Sequence, residues 1–310
     1  MKTGGSNYWK IGGDSASPPL GAFHLLRDQA TSELQSMFEH GQRKITLLCS
    51  FSPLNFPAGQ KDHIWGHVIS SAGGVMYPQH QQNLVDLLGV IREIGYNGLH
   101  FRFHPCGTAA DVNWPDTNGD GQPDWNGSQF TENANFTLYV RGVVEANRGT
   151  LPVIYDLGLE YANDRLATST THELNCRQLW KRYTDAFGPN DSCGFTIIHG
   201  AKGLGLMLQK FKTAKLPYPS HYCFDIYDDH CAVLTACVPV LTQYGEQAKP
   251  IYLQETNYND AVSYTSIKEL IAQTDLNFQY IFQWDVIRDQ DKHYFPDIYP
   301  KRYDNYLVEV

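Results

Sequence analysis

The chain has 310 residues, of which 18% are charged and 13% aromatic, and carries a formal net charge of -9. A length like this buries a large core, and single α/β barrels commonly reach it; the acidic balance, without any Lys/Arg-rich run, excludes the basic face that nucleic acid or an anionic membrane would require. The opening Met1-Lys-Thr-Gly-Gly-Ser-Asn-Tyr-Trp9 lacks a signal-peptide core and no 18-residue apolar run occurs, so a soluble protein, secreted or extracytoplasmic and monomeric, is expected.

In chain order, a Gly/Ser/Pro-rich lead-in is followed by Gly21-Ala-Phe-His-Leu-Leu26, read as the first strand, and by a helix around Thr31 to His40. Lys44-Ile-Thr-Leu-Leu-Cys-Ser-Phe51 is the second strand, after which residues 52–80 form a long loop. Leu84, Leu87, Leu88, Ile91 and Ile94 then recur at helical spacing, closed by Gly95. The third strand, Gly98-Leu-His-Phe-Arg-Phe-His-Pro105, alternates: His100, Arg102 and His104 share one face, and Leu99, Phe101 and Phe103 the other. The apolar set should meet helices and the polar set should line the barrel mouth.

After a second long loop over 106–131, helical periodicities alternate with four further apolar segments and lead to an eighth. The fourth segment, Leu151-Pro-Val-Ile-Tyr-Asp-Leu-Gly-Leu-Glu160, and the seventh, Pro250-Ile-Tyr-Leu-Gln-Glu255, each deliver a glutamate at the end. The fifth is Gly194–Gly200, the sixth His221–His230 and the eighth Asn277–Asp285. Eight strands with helices between them predict a single-domain, parallel, eight-stranded (β/α)8 TIM barrel over 1–310, with long loops after strands two and three. The Tyr-rich tail from His293 to Val310 is expected to pack across it.

Carboxylates at the C-terminal ends of two barrel strands are the material of glycosidic cleavage, one protonated to donate to the leaving oxygen and one ionised to attack. The alternative is an ion pair with Arg102. The glutamates ending strands four and seven, the aromatic-acid segment Asp225-Ile-Tyr227 on strand six and Gln283-Trp284 on strand eight resemble clan A glycoside hydrolases, the retaining barrel group that includes cellulases, mannanases and β-xylosidases. The resemblance runs from about residue 21 to 286 in short motifs. It implies Glu160 as general acid/base, Glu255 as nucleophile, Tyr227 bonding the nucleophile and Trp284 as a sugar platform. The family usually has Asn before the acid/base, where Leu159 stands here, and its Arg on strand two, whereas Arg102 falls on strand three.

Further candidates for substrate contact are Arg102, His104, Asp225 and Asn257, with loop aromatics Trp65, Trp114 and Trp125 able to stack on sugar C–H faces and His63, His67, Asn55 and Asn113 able to bond hydroxyls. Asp116, Asn118, Asp120, Gln122 and Asp124 place oxygens at alternating positions about a glycine bend, a loop suited to a structural Ca²⁺; a solvated polar turn is the alternative. His24, His100, His104, His199 and His230 could serve a metal-dependent hydrolase, though Arg102 between His100 and His104 would oppose a cation. The cysteines at 49, 106, 176, 193, 223, 231 and 237 form no Cys-x-x-Cys pair and are expected mostly as buried thiols, with Cys176 to Cys193 the one bridge considered. The expectation is a retaining hydrolase of β-linked oligo- or polysaccharide with no catalytic cofactor. A non-catalytic carbohydrate-binding barrel and a metal-dependent barrel hydrolase are the alternatives.

Overall fold

The computed structural model describes residues 2–14, 16–53, 61–63, 66–288 and 302–307. Eight parallel strands form a barrel: β1 (Gly5–Tyr8), β2 (Lys44–Ser52), β3 (Leu99–Pro105), β4 (Val153–Asp156), β5 (Ser192–Gly194), β6 (Tyr222–Asp225), β7 (Ile251–Glu255) and β8 (Phe278–Gln283). The ladders run β5-β4-β3-β2-β1-β8-β7-β6. Between β5 and β6 the ladder lapses, and Ile197 closes the circle through isolated parallel bridges to Ala162 and Phe224. The principal outer helices are α1 (Arg27–Glu39), α2 (Pro78–Ile94), α3 (Gly127–Asn147), α4 (Thr170–Phe187), α5 (Gly200–Thr213), α6 (His230–Thr235), α7 (Val238–Tyr244) and α8 (Ala261–Gln273).

The strand count stands, but its first member is corrected. Pro18 and Pro19 start a short helix at Pro19–Ala22, consistent with proline at the first helical position, so the Gly21–Leu26 segment is not a strand. β1 instead uses Gly-Ser-Asn-Tyr, which has no apolar alternation to reveal it. Gly5 and the preceding Gly4 answer a packing demand: a Cβ on Gly4 would meet the Ile281 carbonyl oxygen at 1.8 Å, and one on Gly5 the Lys44 carbonyl oxygen at 1.8 Å.

The alternation of β3 is borne out. Leu99, Phe101 and Phe103 are buried in the main apolar core, while Arg102 points into the barrel and reaches Asp156, Asp225 and Glu255. The chain end is tied on by Tyr303, whose hydroxyl donates to the Ile281 carbonyl (2.7 Å), and Tyr306, which donates to the Asn257 carbonyl (2.7 Å). All seven cysteines are free and buried, so the Cys176 to Cys193 bridge is not formed. Cys176 lies beside His172 and Cys193 beside the Tyr155 carbonyl. No described helix is long and apolar enough to cross a membrane.

Candidate active site

At the C-terminal ends of the strands, Arg102 of β3 is fully buried and organises the acidic residues around it. Its Nε donates to Asp156 (3.1 Å), Nη2 to Asp225 (2.7 Å) and Thr196 (3.2 Å), and Nη1 to Glu255 (2.6 Å) and Asn7 (3.5 Å). Thr196 Oγ1 in turn lies within hydrogen-bond reach of Asp156 Oδ2 and Gln254 Oε1, its single proton serving one or the other. Three carboxylates around one guanidinium hold it well above its usual pKa despite the opposing effect of burial. Burial is also the first cause that raises Asp225 well above the carboxylate range; Arg102 pulls it back, and the charges of Glu255 and Glu160 raise it further.

Glu255 reaches this cluster through a backbone irregularity. Strict alternation would set it on the same face as Ile251 and Leu253, which pack outward in the main core. The pairing of β7 with β6 shifts between Leu253 and Glu255, so that Leu253 opposes Phe224 and Glu255 opposes Asp225. Gln254 is the extra residue of this bulge-like step, and both Gln254 and Glu255 face inward. Gln254 donates to His100 Nδ1 (2.9 Å), and Glu255 takes Arg102 on Oε1 and the Tyr227 hydroxyl (2.6 Å) on Oε2. Tyr227 is steadied by Asn257, whose Nδ2 donates to its carbonyl at 3.0 Å.

Glu160 lies four residues past the end of β4, a correction to its placement as a strand terminus. Asp156 is the last strand residue and is consumed by Arg102 and Thr196, after which the chain turns and Leu159 N bonds the Phe103 carbonyl at 3.0 Å. Glu160 adopts a left-handed φ of 56°, uncommon for a residue with a Cβ and concentrated where function constrains the chain. Asn163 Nδ2 donates to its carbonyl (2.6 Å). The next carbonyl, of Tyr161, lies 2.9 Å from His172 Nε2, whose Nδ1 sits 2.7 Å from Asp111. The turn is therefore anchored to α4 and to the loop after β3. It brings a Glu160 carboxylate oxygen within 4.8 Å of counterparts on Asp225 and Glu255.

A cleft of about 620 Å³ opens beside this group, lined by Glu160, Asp225, Tyr227 and Asp228 together with His199 and Lys202 at the start of α5, a size suited to a small-molecule or sugar-unit ligand. The Oδ1 atom of Asp225 is buried and has no partner among the described residues. Trp284 is buried and stacks on Trp9 with centroids 5.5 Å apart and 8° between planes, with Leu159 and Tyr227 packed against the pair. Trp9 follows β1 and was missed with that strand; recognising Gly4-Gly5 as a close-approach pair was the signal that could have found it.

Other sequence candidates are placed differently. Arg102 is sealed beneath Glu255 and Asp225, where it holds carboxylates and is not open to the cleft. His104 is half-buried, 3.2 Å from Ser50 Oγ. His100 lies deeper, between Gln254 and Tyr280, and does not line the mouth; burial first, then the neighbouring His221, Arg102 and Lys44, keeps it well below its usual pKa. Trp114 and Trp125 pack edge to face and pin their loop onto Phe130 of α3. Trp65 and Asn55 lie outside the described residues. In the acidic loop, the side-chain oxygens of Asp116, Asn118, Asp120 and Asp124 accept from backbone amides of the loop itself, while Gln122 contributes its backbone N–H to Asp120. His24 bonds Asn83, His230 lies 2.8 Å from Thr256, and His199 opens α5, so these histidines do not converge.

No protein-family model and no curated protein matches the chain. Among solved structures it resembles an exo-β-1,4-mannosidase from Opitutaceae bacterium strain TAV5 (TM-score 0.59, 14% identity), covering 93% of this chain and 53% of that one. The chain thus spans about half the length of that relative. A GH113 β-1,4-mannanase matches over 99% of this chain and 94% of its own (TM-score 0.54, 14% identity). A GH5_18 protein from Bifidobacterium longum subsp. longum, solved with Manβ1-4GlcNAc, matches over 98% and 77% (TM-score 0.55, 10% identity). The chain shares the (β/α)8 barrel fold of these structures. This bears out, for the fold, the resemblance carried by the strand-end motifs.

Proposed function

We propose that the chain is a retaining β-glycosidase in which Glu255 is the nucleophile and Glu160 the general acid/base. The observation that carries this reading is the approach of their carboxylate oxygens to within 4.8 Å at the barrel mouth. A spacing of about 5–5.5 Å between carboxyls suits direct attack on the anomeric carbon, whereas the inverting arrangement leaves room for a water between them at about 6.5–9.5 Å. In the first step Glu255 forms a bond to the anomeric carbon as the glycosidic C–O bond breaks and Glu160 passes its proton to the leaving oxygen. In the second, Glu160 takes a proton from water as that water displaces Glu255. Tyr227 and Arg102 donate to the two oxygens of Glu255 and fix the orientation of its carboxyl group. Asp225 borders the cleft beside Glu160 and Tyr227.

The substrate class proposed is a β-linked oligo- or polysaccharide, with β-mannosidic linkages first because the structural neighbours are named for them. One observation favours a second reading, a carbohydrate-binding barrel without turnover: Leu159 occupies the place of the clan's Asn and packs into the Trp9 and Trp284 cluster. A panel of aryl β-glycosides and β-mannans separates the two, since sugar binding without hydrolysis selects the second. In the enzyme, Glu255→Ala should abolish turnover and azide should restore it as a glycosyl azide of inverted configuration. Glu160→Ala should spare substrates with good leaving groups in the first step. Full activity of Glu160→Ala on natural substrates would remove Glu160 from the mechanism.

A further inference from the structure

Below the Arg102 layer, the barrel interior changes from carboxylates to soft donors. Alternation along β6 puts Cys223 inward beneath Asp225, and His221, two residues before it, on the same face. Cys193 of the neighbouring β5 completes a group: its Sγ, a ring nitrogen of His221 and Cys223 Sγ all lie within 4.8 Å of one another. Cys193 and Cys223 are fully buried, His221 is 4% exposed, and Tyr252, Tyr280, Phe282 and Ile154 surround the two sulfurs. His221 Nδ1 lies 2.7 Å from Ser220 Oγ, while Nε2 is buried without a partner among the described residues. A buried imidazole nitrogen left without a bond is rare and calls for an explanation.

A second observation concerns position. The trio straddles the seam between β5 and β6, where the barrel lacks a continuous ladder and is joined through Ile197.

We propose that Cys193, His221 and Cys223 form a Cys₂His site for a thiophilic cation, Zn²⁺ in the first instance, which cross-links β5 to β6 across that seam. Sulfur and imidazole donors select such ions over Mg²⁺ or Ca²⁺. Zinc bonds of about 2.3 Å to sulfur and 2.0–2.1 Å to nitrogen require only a modest closing of the present separations, the three side chains supplying three of the four tetrahedral positions. A neutral imidazole ligates directly, whereas each thiol must give up its proton to bind. Binding therefore releases two thiol protons to solvent and strengthens as pH rises. The carboxylate trio above is unsuited to the same ion, because Arg102 already occupies Glu255 and Asp225.

The test uses the reduced full chain. Zn²⁺ titrated against a chromophoric chelator should show one tight equivalent and raise the melting temperature, and Co²⁺ in its place should give a thiolate-to-metal charge-transfer band. Cys193→Ala/Cys223→Ala should lose that band and weaken Zn²⁺ binding by more than about 100-fold, beyond the 10- to 100-fold that removal of an outer-shell partner costs. Co²⁺ bound by the wild-type chain without a thiolate band overturns the proposal even if the double variant fails to fold. A Zn²⁺ equivalent that survives in a folded double variant overturns it as well.

Discussion

Replacing Arg102 with Met tests whether a single buried cation holds the candidate active site together. The guanidinium is fully buried and donates to three carboxylates at 2.6, 2.7 and 3.1 Å. Removing one partner of a buried ion pair costs about 3–5 kcal/mol because the other is left charged and dry; with three partners abandoned, the upper end is expected. Set against a total stability of about 5–15 kcal/mol, and at about 2–4 °C per kcal/mol for large domains, the melting temperature at pH 7 should fall by roughly 10 °C. The loss should depend on pH in a definite direction. Asp225 is already raised by burial and by Glu255 and Glu160, and Arg102 is the main influence opposing them. Without Arg102 the folded state holds its carboxyl protons more tightly than the unfolded chain. Such groups favour the fold below their unfolded pKa of about 4 and lose that contribution as pH rises through the folded value. Thermal melts of variant and wild type should show a gap that is smallest near pH 4 and widens as pH rises toward 7. An Arg102→Met variant as stable as wild type at pH 7, or one whose deficit is the same at every pH, would refute the reasoning.

Tyr227→Phe removes a 2.6 Å hydrogen bond to Glu255; a bond to a charged group contributes about 1.5–3 kcal/mol, so kcat in an aryl glycoside assay should fall by roughly 10- to 150-fold with the fold intact by circular dichroism. His80 and His230 are held near about 4, and His221 near about 3, chiefly by burial. Since a depressed histidine stabilises the fold above its unfolded pKa of about 6.5, wild-type stability should fall as pH drops from there toward 4, by up to about 1.4 kcal/mol per pH unit for each histidine; chemical denaturation at stepped pH measures the slope. For the acidic loop we propose structural Ca²⁺ on its oxygen spacing, so a chelator should lower the melting temperature and added calcium should restore it; no chelator effect would leave a turn held by its own amides.

What could be read from the residues was what local periodicity controls. Leu99, Phe101 and Phe103 against His100 and Arg102 gave the inward face of β3 without knowledge of any partner, because side-chain direction in a strand is fixed by its pleat. β1 was hidden because it lacks apolar alternation and the glycines at its start, Gly4 and Gly5, answer to backbone approach at Ile281 and Lys44, contacts that lie far away in the chain. Trp9, which stacks on Trp284, was lost with it. Simple alternation would have turned Glu255 outward, and only the register step at Gln254 turns it in; Glu160 arrives through a left-handed turn after its strand has ended. Both departures from regular structure fall on the two residues proposed to do the chemistry. That coincidence has a physical reason: a regular parallel strand aims alternate side chains into its own barrel or out at its helices, and bringing carboxylates from the turn after β4 and the end of β7 together over the mouth takes a backbone that departs from that pattern.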